Sequence, residues 1–281
     1  MFAQETTFAG WQARLDLEYA QRRDTTVLTR RVHIGPLRVQ KPFYPEGGKV
    51  CHSVLLHPPA GIVGGDELAI TVSVGDNAHA LLTTPGAAKW YRSAAPWATQ
   101  QLEFAIGNDA ALEWLPQETI VFDGARAAMQ TTVALAATAS FIGWEVLCLG
   151  RRASGERFDA GALTMATRLE RAGRPLWLER GGLEGGSALL DSPAGLAGFS
   201  VSATLLATGN NLSPALLAAC RQAVPVERGV LHGVTLLPEV LVARYLGHSA
   251  EAARLWFAAL WGLLRPAMLG REAHRPRIWN T

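Results

Sequence analysis

Alternation of apolar and polar residues runs through the first 200 of the 281 residues and limits what the chain can fold into. In the segment 13–20, Leu15, Leu17 and Tyr19 fall on one face of an extended strand and their polar neighbours on the other. Similar segments recur about every ten residues, separated by clusters of Gly, Pro, Asn and Asp. This spacing predicts a mainly β fold of many short strands in a stacked, β-helix-like or sandwich arrangement. We find no sequence repeat and no linker, so we expect a single domain over 1–281.

The last third of the chain changes to helical patterns. The pair Ser213–Pro214 is typical of a helix start and predicts a helix near 213–223. Ser249 predicts the start of a second helix near 249–265, ending close to Pro266. This second segment is apolar on nearly every side, which leaves two alternatives: the helix is buried in its own chain, or it packs on a partner.

Charge, cysteine content and hydropathy limit the partners and the compartment. The 26 Lys and Arg residues against 24 Asp and Glu leave a formal net charge of +2, which does not predict nucleic-acid binding. The uncharged stretches 127–144 and 192–220 are broken by polar residues, and the second also by glycine and proline, so we expect no membrane span. Three widely spaced cysteines without a CxxC motif favour a reducing compartment. The N-terminal segment contains Glu5 and no basic stretch before an apolar run, so we expect no signal peptide and a cytoplasmic location.

One segment holds most of the side chains that are plausible metal ligands. Cys51, His52 and His57 are of suitable type. On a strand, however, Cys51 and His57 lie about 20 Å apart and His52 points to the opposite face. These three residues therefore need ligands from other segments to hold one ion.

The Pro-Pro and glycine run that follows predicts an unusual turn. It is expected to present Asp66 and Glu67. We expect Gly64 and Gly65 to hold backbone angles that a side chain disfavours. The alternative is a plain tight turn between two strands.

Carboxylates inside apolar runs give a second signal. Glu145 lies in the segment 141–149, which is apolar on both strand faces and is therefore expected to be covered on both sides. Glu179 and Glu113 have similar surroundings. A buried carboxylate needs a cation or donors, or its pKa rises. Two interpretations stay open: structural ion pairs with arginines, or an internal polar path that holds a cation transiently.

The segment 83–93 combines cationic and aromatic residues after a Pro-Gly turn. Lys89, Tyr91 and Arg92 are candidates for binding an anion or a partner protein, and an ordinary exposed turn is the alternative. The sequence contains no P-loop, GxGxxG, HExxH or GxSxG motif. A β-rich hydrolase or lyase with Asp66 and Glu118 as acid and base, or a carbohydrate-binding β module, remains as an alternative of another class.

Taken together, six regions resemble the urease accessory protein UreD family, also called UreH. They are Gly35–Leu37 with Lys41–Glu46, His57–Asp66, Thr84–Ser93, Leu112–Glu118, Cys148–Arg151 with Gly155–Glu156, and Pro276–Trp279. The stretch HPPAGIVGGD at 57–66 is the most specific, and the matches follow the family order. Trp90 departs from the resemblance, which leads us to expect Phe there.

The resemblance implies a non-enzymatic scaffold in nickel-urease maturation, with a mainly β fold and two helices. It implies that the chain joins UreF and the GTPase UreG, docks on apo-urease, and passes nickel through an internal tunnel. No cofactor is expected to bind tightly: nickel is in transit, and GTP binds only the partner GTPase. The candidate nickel path is Asp66, Glu67, Glu145 and Glu179, with Cys51, His57 and Glu118 as weaker candidates. The partner-binding candidates are Lys89, Tyr91, Arg92, Trp256, Phe257, Trp261 and Trp279.

Overall fold

Two β-sheets packed face to face, with two helices behind the second sheet, make up the chain. The structure is a computed structural model that describes residues 10–59, 61–94 and 96–280. The segment used for the signal-peptide expectation lies largely before Gly10 and so outside the described residues.

The strands and helices follow in chain order. The strands are β1 (Gln12–Arg22), β2 (Thr25–Ile34), β3 (Arg38–Val39), β4 (Val50–Leu56), β5 (Glu67–Val74), β6 (His79–Thr83), β7 (Ala88–Trp90), β8 (Ala98–Ile106), β9 (Ala111–Trp114), β10 (Thr119–Val121), β11 (Arg126–Leu135), β12 (Ser140–Leu149), β13 (Ala162–Arg171), β14 (Arg174–Glu184), β15 (Val201–Thr208), β16 (Leu231–Leu236) and β17 (Leu241–Gly247). The helices are α1 (Pro214–Gln222) and α2 (Ala250–Leu269), with short 3₁₀ turns at Arg152–Ser154, Ala188–Leu190 and Arg277–Asn280.

The chain passes back and forth between the two sheets. The first sheet has the order β14-β13-β11-β8-β5-β1-β2, and the second has β16-β17-β15-β12-β9-β6-β4-β3, with β10 joining β12 to β7. From β4 to β13, neighbouring strands within each sheet are parallel, because each coil returns the chain in the same direction. The predicted mainly β, stacked, β-helix-like fold is confirmed.

The turns between the sheets contain a short repeat. Residues 75–78 (GDNA) join β5 to β6, and residues 107–110 (GNDA) join β8 to β9. The two turns stack, and the Asn77 amide donates to the Asn108 carbonyl at 2.9 Å. Asn77 and Asp109 both have a positive φ, which Asn and Asp tolerate better than most residues. These two turns occupy equivalent positions in successive coils of the fold.

Strand β12 is covered on both faces, as its sequence predicted. Phe141 and Leu147 belong to the core between the sheets. Ile142, Trp144 and Val146 belong to a second core between the second sheet and α2. Glu145 therefore points into the space between the two sheets.

Both helices begin where the sequence predicts. The Ser213 and Ser249 hydroxyls accept from the backbone amides three residues later, at 3.2 and 3.1 Å. Helix α2 does not stop near Pro266 but continues to Leu269, because a proline in the last turn removes only one backbone hydrogen bond. Gly270, with φ +62°, ends it. Among the described residues, no helix is both long and apolar enough to span a membrane.

The aromatic rings of α2 are buried inside the chain. Trp256 is 2% exposed, and Phe257 and Trp261 are 0% exposed. Of the two alternatives for this helix, the structure has the one in which it is buried. Contact of these rings with a partner would require exposure that they do not have here. Leu255, 39% exposed, is the large apolar residue that α2 leaves at the surface.

Candidate functional site

A cavity of about 150 Å³ lies between the two sheets, beside the strands β12 and β14. Most of its wall is apolar, and Phe141, Leu147 and Met165 contribute to it. A smaller group of polar side chains faces the same space: Thr131, Glu145, Thr167, Glu179, Ser202, Thr204 and Arg244. A polar group within an apolar cavity is typical of a binding or transit site rather than of a plain core.

Two rows of cross-strand neighbours supply the charged side chains of this cavity. In the second sheet the row is Glu145, Thr204 and Arg244. In the first sheet it is Thr131, Thr167 and Glu179. Cross-strand neighbours on one face lie side by side. The two candidate carboxylates therefore come from facing sheets and lie on opposite walls of the cavity.

Glu145 is the inner carboxylate of the pair. Burial raises its pKa to about 7, the negative charge of Glu179 adds to this effect, and a hydrogen bond with Thr119 opposes it. Within the described part of the chain it forms no ion pair. Of the two interpretations open for Glu145, a structural arginine pair is therefore not what the fold provides.

The raised pKa of Glu145 predicts a pH-dependent stability. The folded chain holds the Glu145 proton more tightly than the unfolded chain. The contribution of this proton to the free energy of unfolding is therefore fully present below about pH 4.5 and is lost as pH rises through about 7. We expect the stability of the wild type relative to Glu145→Gln to fall from about pH 5 to about pH 8. Thermal unfolding of both proteins across this range measures it, and a constant difference would contradict the pKa.

Glu179 is the outer carboxylate and pairs with an arginine. Its Oε1 accepts a hydrogen bond from Arg244 Nη2 at 2.6 Å, and the two side chains are 34% and 48% exposed. The Arg244 guanidinium also lies over the Trp177 ring, 5.6 Å from its centroid. Because Glu179 lines the cavity and also reaches solvent, it forms the outer end of the site.

Asp66 and Glu67 do not line this cavity. The Asp66 carboxylate is 4% exposed and accepts from the backbone amides of Trp11 and Val63 at 2.8 and 2.9 Å. Glu67 is exposed at the start of β5. The structure thus brings together two of the four main path candidates, and a role for Asp66 and Glu67 in nickel transfer stays a prediction.

The acid–base alternative finds little support in the two carboxylates that it needs. Both oxygens of Asp66 are occupied by backbone donors. Glu118 forms an ion pair with Arg254 at 3.0 Å. Both carboxylates are thus engaged by groups of the chain itself.

The glycine turn before Asp66 needs its two glycines for different reasons. Gly65 has φ +93°, as predicted for a strained position. Gly64 does not have a positive φ, so the predicted strain is wrong there. A Cβ at Gly64 would lie 1.9 Å from Ser93 Oγ, so close packing requires that glycine.

The turn packs against the segment 84–93, another region of the resemblance. The Ile62 amide donates to the Lys89 carbonyl at 2.7 Å, and the Tyr91 amide donates to the Ile62 carbonyl at 2.8 Å. Lys89 and Tyr91 are half-buried, and Arg92 is exposed and pairs with Asp123 at 3.0 Å. A partner-binding role for these three residues stays a prediction.

Gly65→Val is expected to displace Asp66 and, on the resemblance to the UreD family, to lower urease activation. A β-branched residue at a positive φ costs of order 1–3 kcal/mol, and the Asp66 contacts fix the register of the turn. The measurement is urease activity after maturation, with the melting temperature as the control for folding. Wild-type activation by this variant would show that the turn is ordinary.

A buried ionic cluster between α2 and the second sheet is the feature that the sequence interpretation largely missed. Glu113, 0% exposed, accepts from Arg265 Nε at 3.0 Å and from Trp261 Nε1, and His79 Nε2 lies 2.6 Å from its Oε1. Burial acts to raise the pKa of Glu113, but His79 and Arg265 hold this pKa below its ordinary value. The arginine-pair interpretation is confirmed for Glu113.

The same arginine links a second carboxylate to the cluster. Arg265 Nη2 donates to Glu46 Oε1 at 2.7 Å, and His52 Nε2 lies 2.6 Å from that oxygen. Burial acts to raise the pKa of Glu46, but the contacts with His52 and Arg265 lower it to about 2. Cys51 points to the opposite face of β4 from His52, as predicted, and lies in the core between the sheets.

The remaining candidates lie apart from the cavity. His57 is half-buried after β4, and burial lowers its pKa. The Trp279 Nε1 donates to Thr83 Oγ1 at 2.8 Å, and its ring packs against Trp144. Over the described ranges, no group of three or more His, Cys, Asp or Glu side chains is arranged to hold a metal ion.

A second cavity of about 120 Å³ lies on the helix side of the second sheet. Gln117, Arg254 and Trp279 line it, and Trp144 borders both cavities. Beside Trp144 the sheet is interrupted, because β9 pairs with β12 only as far as Gly143 and β10 pairs with it only from Leu147. Residues 115–118, which join β9 to β10, run past this break in strand pairing, and Trp144 Nε1 donates to the Pro116 carbonyl at 2.9 Å.

Comparison with known proteins identifies the family. The family model described as UreD urease accessory protein matches residues 12–280. The chain is 56% identical over 274 residues to the urease accessory protein UreD of Dechloromonas aromatica (strain RCB), covering 96% of this chain and 95% of that one. It is 55% identical over 272 residues to the UreD of Azoarcus sp. (strain BH72), covering 97% and 95%. It is 51% identical over 276 residues to the UreD of Janthinobacterium sp. (strain Marseille), covering 98% and 93%. The chain, with its paired sheets and the cavity between them, belongs to the UreD family of urease accessory proteins.

Proposed function

We propose that the chain is a scaffold and chaperone of urease maturation that acts with UreF and the GTPase UreG on apo-urease. In this role it helps to deliver nickel to the urease active site, and the cavity between the sheets is part of the internal route. The observation that carries the proposal is the facing pair Glu145 and Glu179 in an otherwise apolar cavity.

The chemistry of the pair suits passage better than storage. Carboxylate oxygens bind divalent cations, and the Thr and Ser hydroxyls beside them add weak ligands. Two carboxylates offer too few strong ligands to trap an ion as a closed four-ligand site does. Nickel is therefore the cargo of the chain rather than its resident cofactor, and GTP is bound by the partner GTPase.

The break in strand pairing beside Trp144 is where the proposed route crosses the second sheet. From the solvent edge at Glu179 the route leads inward to Glu145, and from there past Trp144 to the cavity under α2. The weaker path candidate Glu118 and its partner Arg254 lie on that side. A path through the sheet gives a role to the carboxylate at position 145 of this largely apolar strand.

The proposed partners are proteins of the cytoplasm, with no role for nucleic acid or membranes. Exposed Arg92 and the half-buried Lys89, Tyr91 and Trp279 are the candidates that reach the surface. Leu255 on α2 replaces the buried rings as the apolar contact expected near UreF.

Reconstitution tests the proposal. Apo-urease, UreF, UreG, GTP and nickel are incubated with and without this chain, and urease activity and nickel content are measured. We expect activation only when the chain is present, and co-purification of the chain with UreF. Equal activation without the chain, or turnover of a small substrate by the chain alone, would contradict the role.

A further inference from the structure

The outer end of the cavity already holds a cationic group of the chain itself. Arg244 Nη2 donates to Glu179 Oε1 at 2.6 Å, and Nη1 lies 3.5 Å from Thr204 Oγ1. The guanidinium thus occupies the carboxylate that an entering cation meets first. Glu145, deeper in the cavity, forms no ion pair with any described residue.

A second contact holds the Arg244 guanidinium beside Glu179 and does not depend on that carboxylate. Its guanidinium lies over Trp177, 5.6 Å from the ring centroid, and a tryptophan face attracts a cation. The Arg244 side chain is 48% exposed, so its pairing with Glu179 is in a screened environment and contributes little stability. An arginine held weakly by one carboxylate and supported by a neighbouring ring can leave the carboxylate at small cost.

We propose that Arg244 is a displaceable counter-cation that closes the outer end of the cavity, and that a divalent cation enters by replacing its guanidinium on Glu179. The inference rests on the proposed nickel route and adds the residue that controls entry to it. When the cation binds Glu179, the guanidinium keeps its contact with the Trp177 ring but leaves the carboxylate. The cation then passes inward to Glu145, which has no arginine partner among the described residues. Monovalent cations are excluded because the Coulomb energy that a single charge gains beside Glu179 only matches the energy lost when the singly charged guanidinium leaves.

Nickel affinity in the absence of urease tests the inference. The probe is Ni²⁺ alone, titrated calorimetrically against the chain co-purified with UreF. Arg244→Gln removes the competing charge and is expected to lower the apparent Kd for Ni²⁺ about tenfold. This is the change for a Glu179 carboxylate that the guanidinium leaves free about one tenth of the time. Arg244→Lys keeps the charge and is the matched control, with an affinity near that of the wild type. Adding Glu179→Gln to Arg244→Gln is expected to abolish the gain.

Each other outcome overturns the inference. An unchanged affinity in a folded Arg244→Gln variant would show that Arg244 does not compete with the cation. Unfolding of that variant would assign Arg244 a structural role, because a displaceable group cannot be required by the fold. Failure of the proposed function is read elsewhere, from the nickel content of urease matured with the wild-type chain.

Discussion

Urease matured with the double variant Glu145→Gln and Glu179→Gln should contain little nickel, although the chain folds and assembles normally. Glutamine matches the protonated form of Glu145, which its raised pKa of about 7 makes accessible, so this change costs little stability. At position 179 the change leaves Arg244 half exposed to solvent rather than buried. Both carboxylates of the cavity are then lost together, and we expect a larger defect than for either single change. The measurement is nickel per urease active site, with pull-down of UreF, UreG and apo-urease.

An outward-facing carboxylate provides the matched control for that variant. Glu103 lies on β8 of the first sheet and is exposed on the face away from the cavity. Glu103→Gln should leave nickel loading unchanged. Full loading by the double variant would rule out transfer through Glu145 and Glu179, and loss of the complex itself would support a structural role for the pair.

Arg265→Leu is expected to destabilise the fold by about 3–5 kcal/mol, because it leaves two buried carboxylates without their shared cation. Glu113 is 0% exposed and Glu46 is largely buried, so water does not replace the lost contacts. Denaturant unfolding measures the change. The control is Arg30→Leu, which removes an exposed pair with Glu18 and should cost no more than about 1 kcal/mol. Similar losses for the two variants would contradict the role of Arg265.

Local patterns predicted the elements because their causes are local. Alternation marked the strands, Ser213 and Ser249 marked the helix starts, and apolar residues on both faces of 141–149 marked a covered strand. The stacking of the turns was not predicted. The only sequence signal for it is the similarity of the short segments GDNA and GNDA, at 75–78 and 107–110.

The buried cluster needed tertiary information. Glu46, His52, His79, Glu113 and Arg265 come from five separate segments, and no spacing rule joins them. One signal was present: Arg265 is the only charged residue between Leu255 and Leu269, inside an apolar helix. A lone charge in such a helix needs a buried partner of opposite charge, and the predicted buried carboxylate Glu113 is of that kind.

The sequence predicted the two carboxylates of the cavity but not their approach to each other, which also needs tertiary information. Glu145 and Glu179 were marked by their apolar neighbours, but their approach depends on β12 and β14 lying in facing sheets. Arg244 gave no comparable signal, because an arginine in an alternating strand is ordinary. The rings of α2 illustrate the opposite case, in which one apolar pattern suits both a core and an interface, and only the packing decides.

Filling the cavity is the most direct test of the nickel route. Gly181 lies two residues after Glu179 on the same face of β14 and lines the cavity. A Cβ added at this position would meet no heavy atom of the described residues within 4 Å. Gly182 faces the other way, and a Cβ there meets only the Leu163 carbonyl at 4.0 Å. Gly181→Phe therefore fills the route, and Gly182→Phe places the same ring outside it.

The measurement is nickel per urease active site after maturation with each of these two variants, at matched melting temperature and complex yield. If nickel passes between the sheets, Gly181→Phe leaves urease largely without nickel while Gly182→Phe loads it like the wild type. Full nickel loading with Gly181→Phe would contradict passage through this cavity.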